Sequence, residues 1–114
     1  MFRSKPLLTA AILSCASGLP VSAASAGELA AGKAKVESVC ETCHGMDGQA
    51  TSAMVPNLSG QRKEYIIVQL ESFRDGKRQH AQMNIIAKAL TDDDIENVAE
   101  WYSNIRVSVE QPSF

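Results

Sequence analysis

The chain has no stretch in which apolar and polar residues alternate as they do along a half-buried strand, so it offers no material for a sheet. It also lacks an apolar run of the roughly 20 residues that a membrane-spanning helix requires. The nearest approach is the 13-residue run 7–19. Basic charge is short as well: 11 Lys and Arg stand against 13 Asp and Glu, which argues against a nucleic-acid partner. Aromatic residues are only 5% of the total, and there is no internal repeat, low-complexity tract or linker. A chain of 114 residues has room for one domain and little else.

The short apolar run has the flanks of an export signal. Arg3 and Lys5 precede it, and the small residues of 20–26 follow it, the three-part pattern of a secretory signal peptide. Ala24-Ser25-Ala26 suits cleavage after Ala26, and Val21-Ser22-Ala23 offers a second small-residue site. A signal peptide over 1–26 and a mature domain over 27–114 are therefore expected, with no stable membrane insertion of the mature chain and a periplasmic location. Lipoprotein processing at Cys15 would leave only seven apolar or small residues before Ser14, at the bottom of the usual range. The mature part keeps 88 residues and 9 Lys and Arg against 13 Asp and Glu, a formal −4. A domain so small buries a reduced share of its surface. Its five aromatics, Tyr65, Phe73, Trp101, Tyr102 and Phe114, leave space for a large apolar cofactor.

Four helical segments are predicted. The first, about 29–43, sets Val36, Val39, Cys40 and Cys43 at i, i+3, i+4 and i+7 and stops at Gly45. The second, about 62–74, carries Tyr65, Ile66, Gln69, Leu70 and Phe73 on one broad face. A short third covers about 84–90. The fourth opens with Thr91 as a cap, answered by Asp94 three residues on, and buries Ile95, Val98, Ala99 and Tyr102 with Trp101 and Ile105 beside them. The loops 45–60 and 76–82 are long for a compact domain unless they hold a ligand.

The chemistry concentrates in Cys40-Glu41-Thr42-Cys43-His44. C-x-x-C-H in an exported chain reads as a c-type haem attachment site. On a helix, positions i, i+3 and i+4 share a face, so both sulfurs and the imidazole project together while Glu41 and Thr42 point away. Two thioethers from Cys40 and Cys43 then hold one haem c covalently, and His44 reaches its iron. Other uses of the pair fit less well. A thioredoxin-like C-x-x-C wants a βαβ setting, a disulfide within one helical turn closes too short a loop to stabilise much, and a zinc site would have only Cys40, Cys43, His44 and His80 to draw on.

A second axial ligand would fit the iron for electron transfer, whereas a vacancy would fit gas binding or peroxide chemistry. The candidates are Met46, Met54, Met83 and His80. Met46 is two residues beyond His44 and cannot cross to the far face. Met54 sits in the loop that passes on the histidine side. Met83, 39 residues on, follows a helix that brings the chain around. Met83 is favoured, and His80 remains the alternative.

These residues together resemble a class I c-type cytochrome, in particular the bacterial soluble monohaem forms and one domain of dihaem cytochromes c. The resemblance covers the mature chain. Its pieces are Gly32-Lys33, Cys40 to Gly45, Pro56-Asn57-Leu58-x-Gly60-Gln61, Tyr65, Gln69-Leu70, Phe73-Arg74-x-Gly76, Met83, Leu90-Thr91-Asp92 and Val98-Ala99-x-Trp101-Tyr102. The resemblance implies an all-α fold of about four helices around one covalently bound haem, with His44 and Met83 on the iron. It also implies that the Pro56 carbonyl accepts the Nδ1 proton of His44, that Gly32 and Trp101 mark a helix crossing, and that Tyr65 reaches a haem propionate. One departure stands out: Gln82 and Asn84 flank Met83 where the family often has another small residue or Met before the ligand and Pro or Gly after it.

The expected function is single-electron transfer in the periplasm without a substrate of the protein's own, through redox-partner proteins docking at the haem edge. The alternative is an electron-transfer subunit of an exported dehydrogenase, for example one acting on sulfur compounds. A peroxidase or gas sensor would need an open or labile sixth position.

Overall fold

The computed structural model describes residues 26–114, and every regular element among them is helical. The expected signal peptide and Cys15 fall outside the described residues apart from Ala26. Helix α1, Ala26–Lys35, is alanine-rich, with Glu28 in its first turn and Lys33 and Lys35 in its last, the arrangement that complements the helix dipole. It runs into a π-helical turn, Val36–Cys40, and then into the short helix α2, Glu41–His44. Helix α3 is Lys63–Arg74, α4 is Ala81–Lys88 and α5 is Asp92–Ser103. No helix among the described residues is long and apolar enough to cross a membrane.

The single helix expected over 29–43 is thus interrupted. The N–H of Glu41 reaches back five residues to the carbonyl of Val36, the bond of a π turn. One extra residue per turn re-phases the chain, and the four-residue stripe expected there breaks. Val36 is fully buried and Cys40 packs on the core, but Val39 swings out to 37% exposure.

Helix α4 starts at Ala81, three residues earlier than expected, because His80 caps it. His80 is extended (φ −160°, ψ 127°), and its Nδ1 accepts the N–H of Met83 at 3.3 Å. The Oδ1 of Asn84 in turn accepts the His80 N–H at 2.6 Å. At the head of α5, Thr91 and Asp94 form a full capping box, with bonds of 3.0 and 3.1 Å.

The expected α5 stripe is the centre of the core: Ile95, Val98, Ala99 and Tyr102 are all buried. Against it lie Val36 from the π turn and Ile66 from α3. Where α1 crosses α5, Gly32 has no side chain, and a Cβ there would stand 2.2 Å from the Asn97 carbonyl oxygen and 3.1 Å from the Trp101 Cβ. That obstacle is mostly backbone and cannot swing away. Gly32→Ala is therefore expected to force the helices apart and cost about 1–3 kcal/mol, as overpacking does, read as a lower midpoint in urea unfolding.

Ion pairs tie the same helices. Lys35 meets Asp94 at 3.0 Å between α1 and α5, and Lys63 of α3 meets Glu100 of α5 at 3.0 Å. Asn104 Nδ2 donates to the other oxygen of Glu100 at 2.7 Å. The Lys63 ammonium, partly offset by burial and aided by Asn104, holds the Glu100 carboxyl below its ordinary range. A carboxyl depressed on folding stabilises above its unfolded pKa of about 4.3, and that contribution is lost as pH falls through the folded value. Urea midpoints measured downward from pH 6 should fall in the acid range, and Glu100→Gln should flatten that part of the curve.

Candidate functional site

The two cysteines and the histidine of the motif lie on the segment that joins the π turn to α2. Cys40 is the last residue of the π turn, at φ −105° and ψ −31°, and Cys43 and His44 belong to α2. Both thiols are free and half-buried. Burial pushes the Cys40 thiol up to about 11, against a smaller downward pull from Lys35, so it is a neutral thiol at pH 7. The side chain of His44 is buried. Its Nδ1 lies 2.9 Å from the carbonyl oxygen of Pro56. A proline carbonyl can only accept, so Nδ1 carries the proton, and the neutral tautomer that this bond selects has its lone pair on Nε2.

The loop that supplies Pro56 is bound at many points. Gly45 ends α2 at φ +75°, a backbone region open to glycine, and its N–H closes on Glu41 at 2.9 Å. Thr51 donates to the Cys43 carbonyl from its N–H at 3.0 Å and from its Oγ1 at 3.1 Å. Asn57 Oδ1 accepts the N–H of Ala50 at 2.8 Å, and Leu58 N–H reaches the Gly48 carbonyl at 2.8 Å. The loop is thereby a rigid bracket that holds the Pro56 carbonyl over the ring of His44.

Helix α5 completes the bracket from outside. Its consecutive aromatics each donate to the strand of chain leaving His44: Tyr102 Oη to the Gly45 carbonyl at 2.9 Å, and Trp101 Nε1 to the Met46 carbonyl at 2.8 Å. Burial pushes the Tyr102 phenol far up, which keeps it a donor. Sequence reasoning took both rings as packing. The available signal was their polar tips, since a buried indole N–H or phenol O–H is normally hydrogen-bonded.

The other expected residues lie on α3, at the head of α4 and on the exposed part of the loop. Met83 is half-buried in the first turn of α4. Asn84 beside it donates from Nδ2 to the carbonyls of Phe73 (2.7 Å) and Arg78 (2.8 Å), tying the head of α4 to the end of α3. Asn84 therefore does the anchoring that a rigid Pro would do at that turn. His80 is exposed, with its Nδ1 engaged as the α4 cap. Tyr65 is 50% exposed at the start of α3, and Met54, 90% exposed, is the most open methionine side chain among the described residues. Chemically, the arrangement offers two unpaired thiols and a tautomer-fixed imidazole within one turn of chain.

A family model described as cytochrome c oxidase, cbb3-type, subunit III matches residues 27–101. Cytochrome c-554(548) of Halomonas halodenitrificans is 40% identical over 82 residues, which are 69% of this chain and 98% of that protein. Cytochrome c4 of Pseudomonas aeruginosa is 37% identical over 92 residues, covering 81% of this chain and 45% of that protein. Among solved structures, cytochrome c4 of Acidithiobacillus ferrooxidans matches with a TM-score of 0.64 and 38% identity, over 68% of this chain and 49% of that one. The chain spans about half the length of the cytochrome c4 relatives it matches.

Proposed function

The chain belongs to the class I c-type cytochromes, electron-transfer proteins, and from that premise we propose that it is a periplasmic carrier of single electrons with one haem c. The observation that carries the proposal is the His44 Nδ1–Pro56 bond of 2.9 Å beside two free thiols. It selects the neutral tautomer whose Nε2 can bind iron, and it fixes the plane of the ring. The donor set fits the group: Cys40 and Cys43 would hold the haem covalently, and His44 and Met83 would bind its iron. When bound, such a haem supplies a ferric–ferrous couple whose potential a thioether ligand raises. The protein's own part is to keep both ligands in place in both oxidation states. The loop bracket does this for His44, and the Asn84 tie between α3 and α4 does it for Met83. Tyr65, 50% exposed at the start of α3, is the residue proposed for a haem propionate.

The mass and the reduced absorption spectrum of protein recovered from the periplasm test the whole reading. Expected are a chain shortened by 26 residues, one haem added through two thioethers, and the spectrum of a six-coordinate ferrous haem. A full-length chain retained in the cytoplasm without haem would overturn the proposal.

A second reading, a haem subunit of an exported dehydrogenase, draws support from exposed apolar side chains. Met54 and Ile85, at 90% and 74% exposure, are the largest of them away from the C-terminal segment. Co-purification with a larger flavin- or molybdenum-bearing protein would favour that reading. A monomer that exchanges electrons freely would favour the carrier.

A further inference from the structure

We propose that Trp101 and Tyr102 are positioning residues for the His44 ligand, setting the strength of the His44–Pro56 hydrogen bond and through it the reduction potential. This rests on the reading of His44 as an iron ligand, and it assigns to two adjacent residues of α5 a task that neither packing nor the C-x-x-C-H motif requires of them.

The argument starts from the chain that leaves the ligand. After His44 the backbone turns at Gly45, whose φ of +75° and ψ of 154° lie where a glycine has little intrinsic preference for one geometry over another. The turn's own bonds, from the Gly45 N–H to Glu41 at 2.9 Å and from the Gly48 N–H to the Gly45 carbonyl at 3.2 Å, are joined by two from α5. The Gly45 carbonyl receives the Tyr102 hydroxyl at 2.9 Å, and the Met46 carbonyl receives the Trp101 indole N–H at 2.8 Å. Tyr102 is fully buried, so its hydroxyl has no solvent partner to exchange for Gly45. The backbone of Tyr102 also accepts the Gly60 N–H at 2.9 Å, at the far end of the same loop. One turn of α5 thus grips the loop at both ends, on either side of Pro56. With the ends held from α5 and the interior braced by the bonds of Thr51, Asn57 and Leu58, the Pro56 carbonyl is kept at its distance from the His44 ring.

The direction of the effect follows from the hydrogen bond. A strong bond from Nδ1–H to a carbonyl makes the imidazole a better electron donor at Nε2, which favours ferric iron. Loosening the grip weakens that bond and should raise the potential. Tyr102→Phe removes the hydroxyl and keeps the ring. Trp101→Phe removes the indole donor and keeps most of the aromatic bulk.

The test compares these two variants with Val98→Ala, which removes buried volume from the α5 core and leaves the Tyr102 and Trp101 donors to the loop in place. All are studied as haem-loaded protein. In the ferrous state, solvent exchange of the His44 Nδ1 proton is measured by NMR, together with the midpoint potential. Expected is exchange at least tenfold faster in Tyr102→Phe, with a potential above wild type, and a smaller shift in the same sense for Trp101→Phe. Val98→Ala should lower the unfolding midpoint and leave both quantities at wild-type values. If Tyr102→Phe and Trp101→Phe only lose stability, as Val98→Ala does, their role is structural and the inference fails while the haem reading stands. If wild type carries no haem on Cys40 and Cys43, both fail together.

Discussion

Replacing both Cys40 and Cys43 by alanine is expected to abolish the cooperative unfolding transition, leaving a chain with helical far-ultraviolet signal but no fixed tertiary packing. Nine apolar residues are buried among those described, and two of them, Ala87 and Ala99, are alanines. Only Tyr102, Ile95 and Val36 combine substantial volume with complete burial. Domains of this size are marginal even when well packed, and total stabilities of about 5–15 kcal/mol leave no margin for losing the cofactor that fills their centre. Heat or urea titration followed by near-ultraviolet circular dichroism makes the check. A sharp transition near the wild-type midpoint in the double variant would show that the helices pack without haem.

Met83→Ala is expected to convert an electron-transfer site into a ligand-binding one. The ferric protein should lose the weak far-red band of sulfur-bound iron, and the ferrous protein should bind carbon monoxide within the mixing time. The potential should fall by on the order of 0.1 V or more, within the roughly 0.8 V over which axial ligands set haem potentials. His80→Ala should leave the band in place, because the structure gives the His80 ring a different task as the cap of α4. It should instead fray the first turn of that helix, with a cost of about 1 kcal/mol, the usual scale of a lost cap. A band that survives Met83→Ala and disappears in Met54→Ala would move the ligand to the other loop. Rapid carbon monoxide binding by the wild type would point to a sensor or peroxidase.

The helical architecture was legible because α5 states it plainly. Thr91 and Asp94 announce the start, and Ile95, Val98, Ala99 and Tyr102 recur at the helical period; the structure buries all four. The crossing of Gly32 with Trp101 was implied by the family resemblance and is present. The bond from His44 to Pro56 was implied only by family resemblance, and its geometry is present in the chain. Other features left no trace in residue type. A π turn has no side-chain signature, since it differs from an α turn only in which carbonyl an N–H finds. A histidine as N-cap falls outside the Ser, Thr, Asp and Asn that usually mark a helix start, so α4 was read three residues short. The donors of Trp101 and Tyr102 were hidden by their own bulk, which alone accounts for their place in a core.

The π turn bears on how the length of this chain could change over generations. A residue in an α-helix turns the chain by about 100°, so a one-codon deletion between Gly32 and Val36 would rotate the face that carries Cys40 and Cys43 a quarter-turn or more away from α5. Within Val36–Cys40 the same deletion would have a different outcome, because the turn already holds one residue more than an α turn needs. Loss of Ser38, exposed on the surface of that turn, would restore an ordinary α-helix and leave Gly32 facing α5 and Cys40 facing the core. The segment is a place where the helix can lose one residue and keep both flanks in register, and single-codon deletions among descendants of this sequence should collect there.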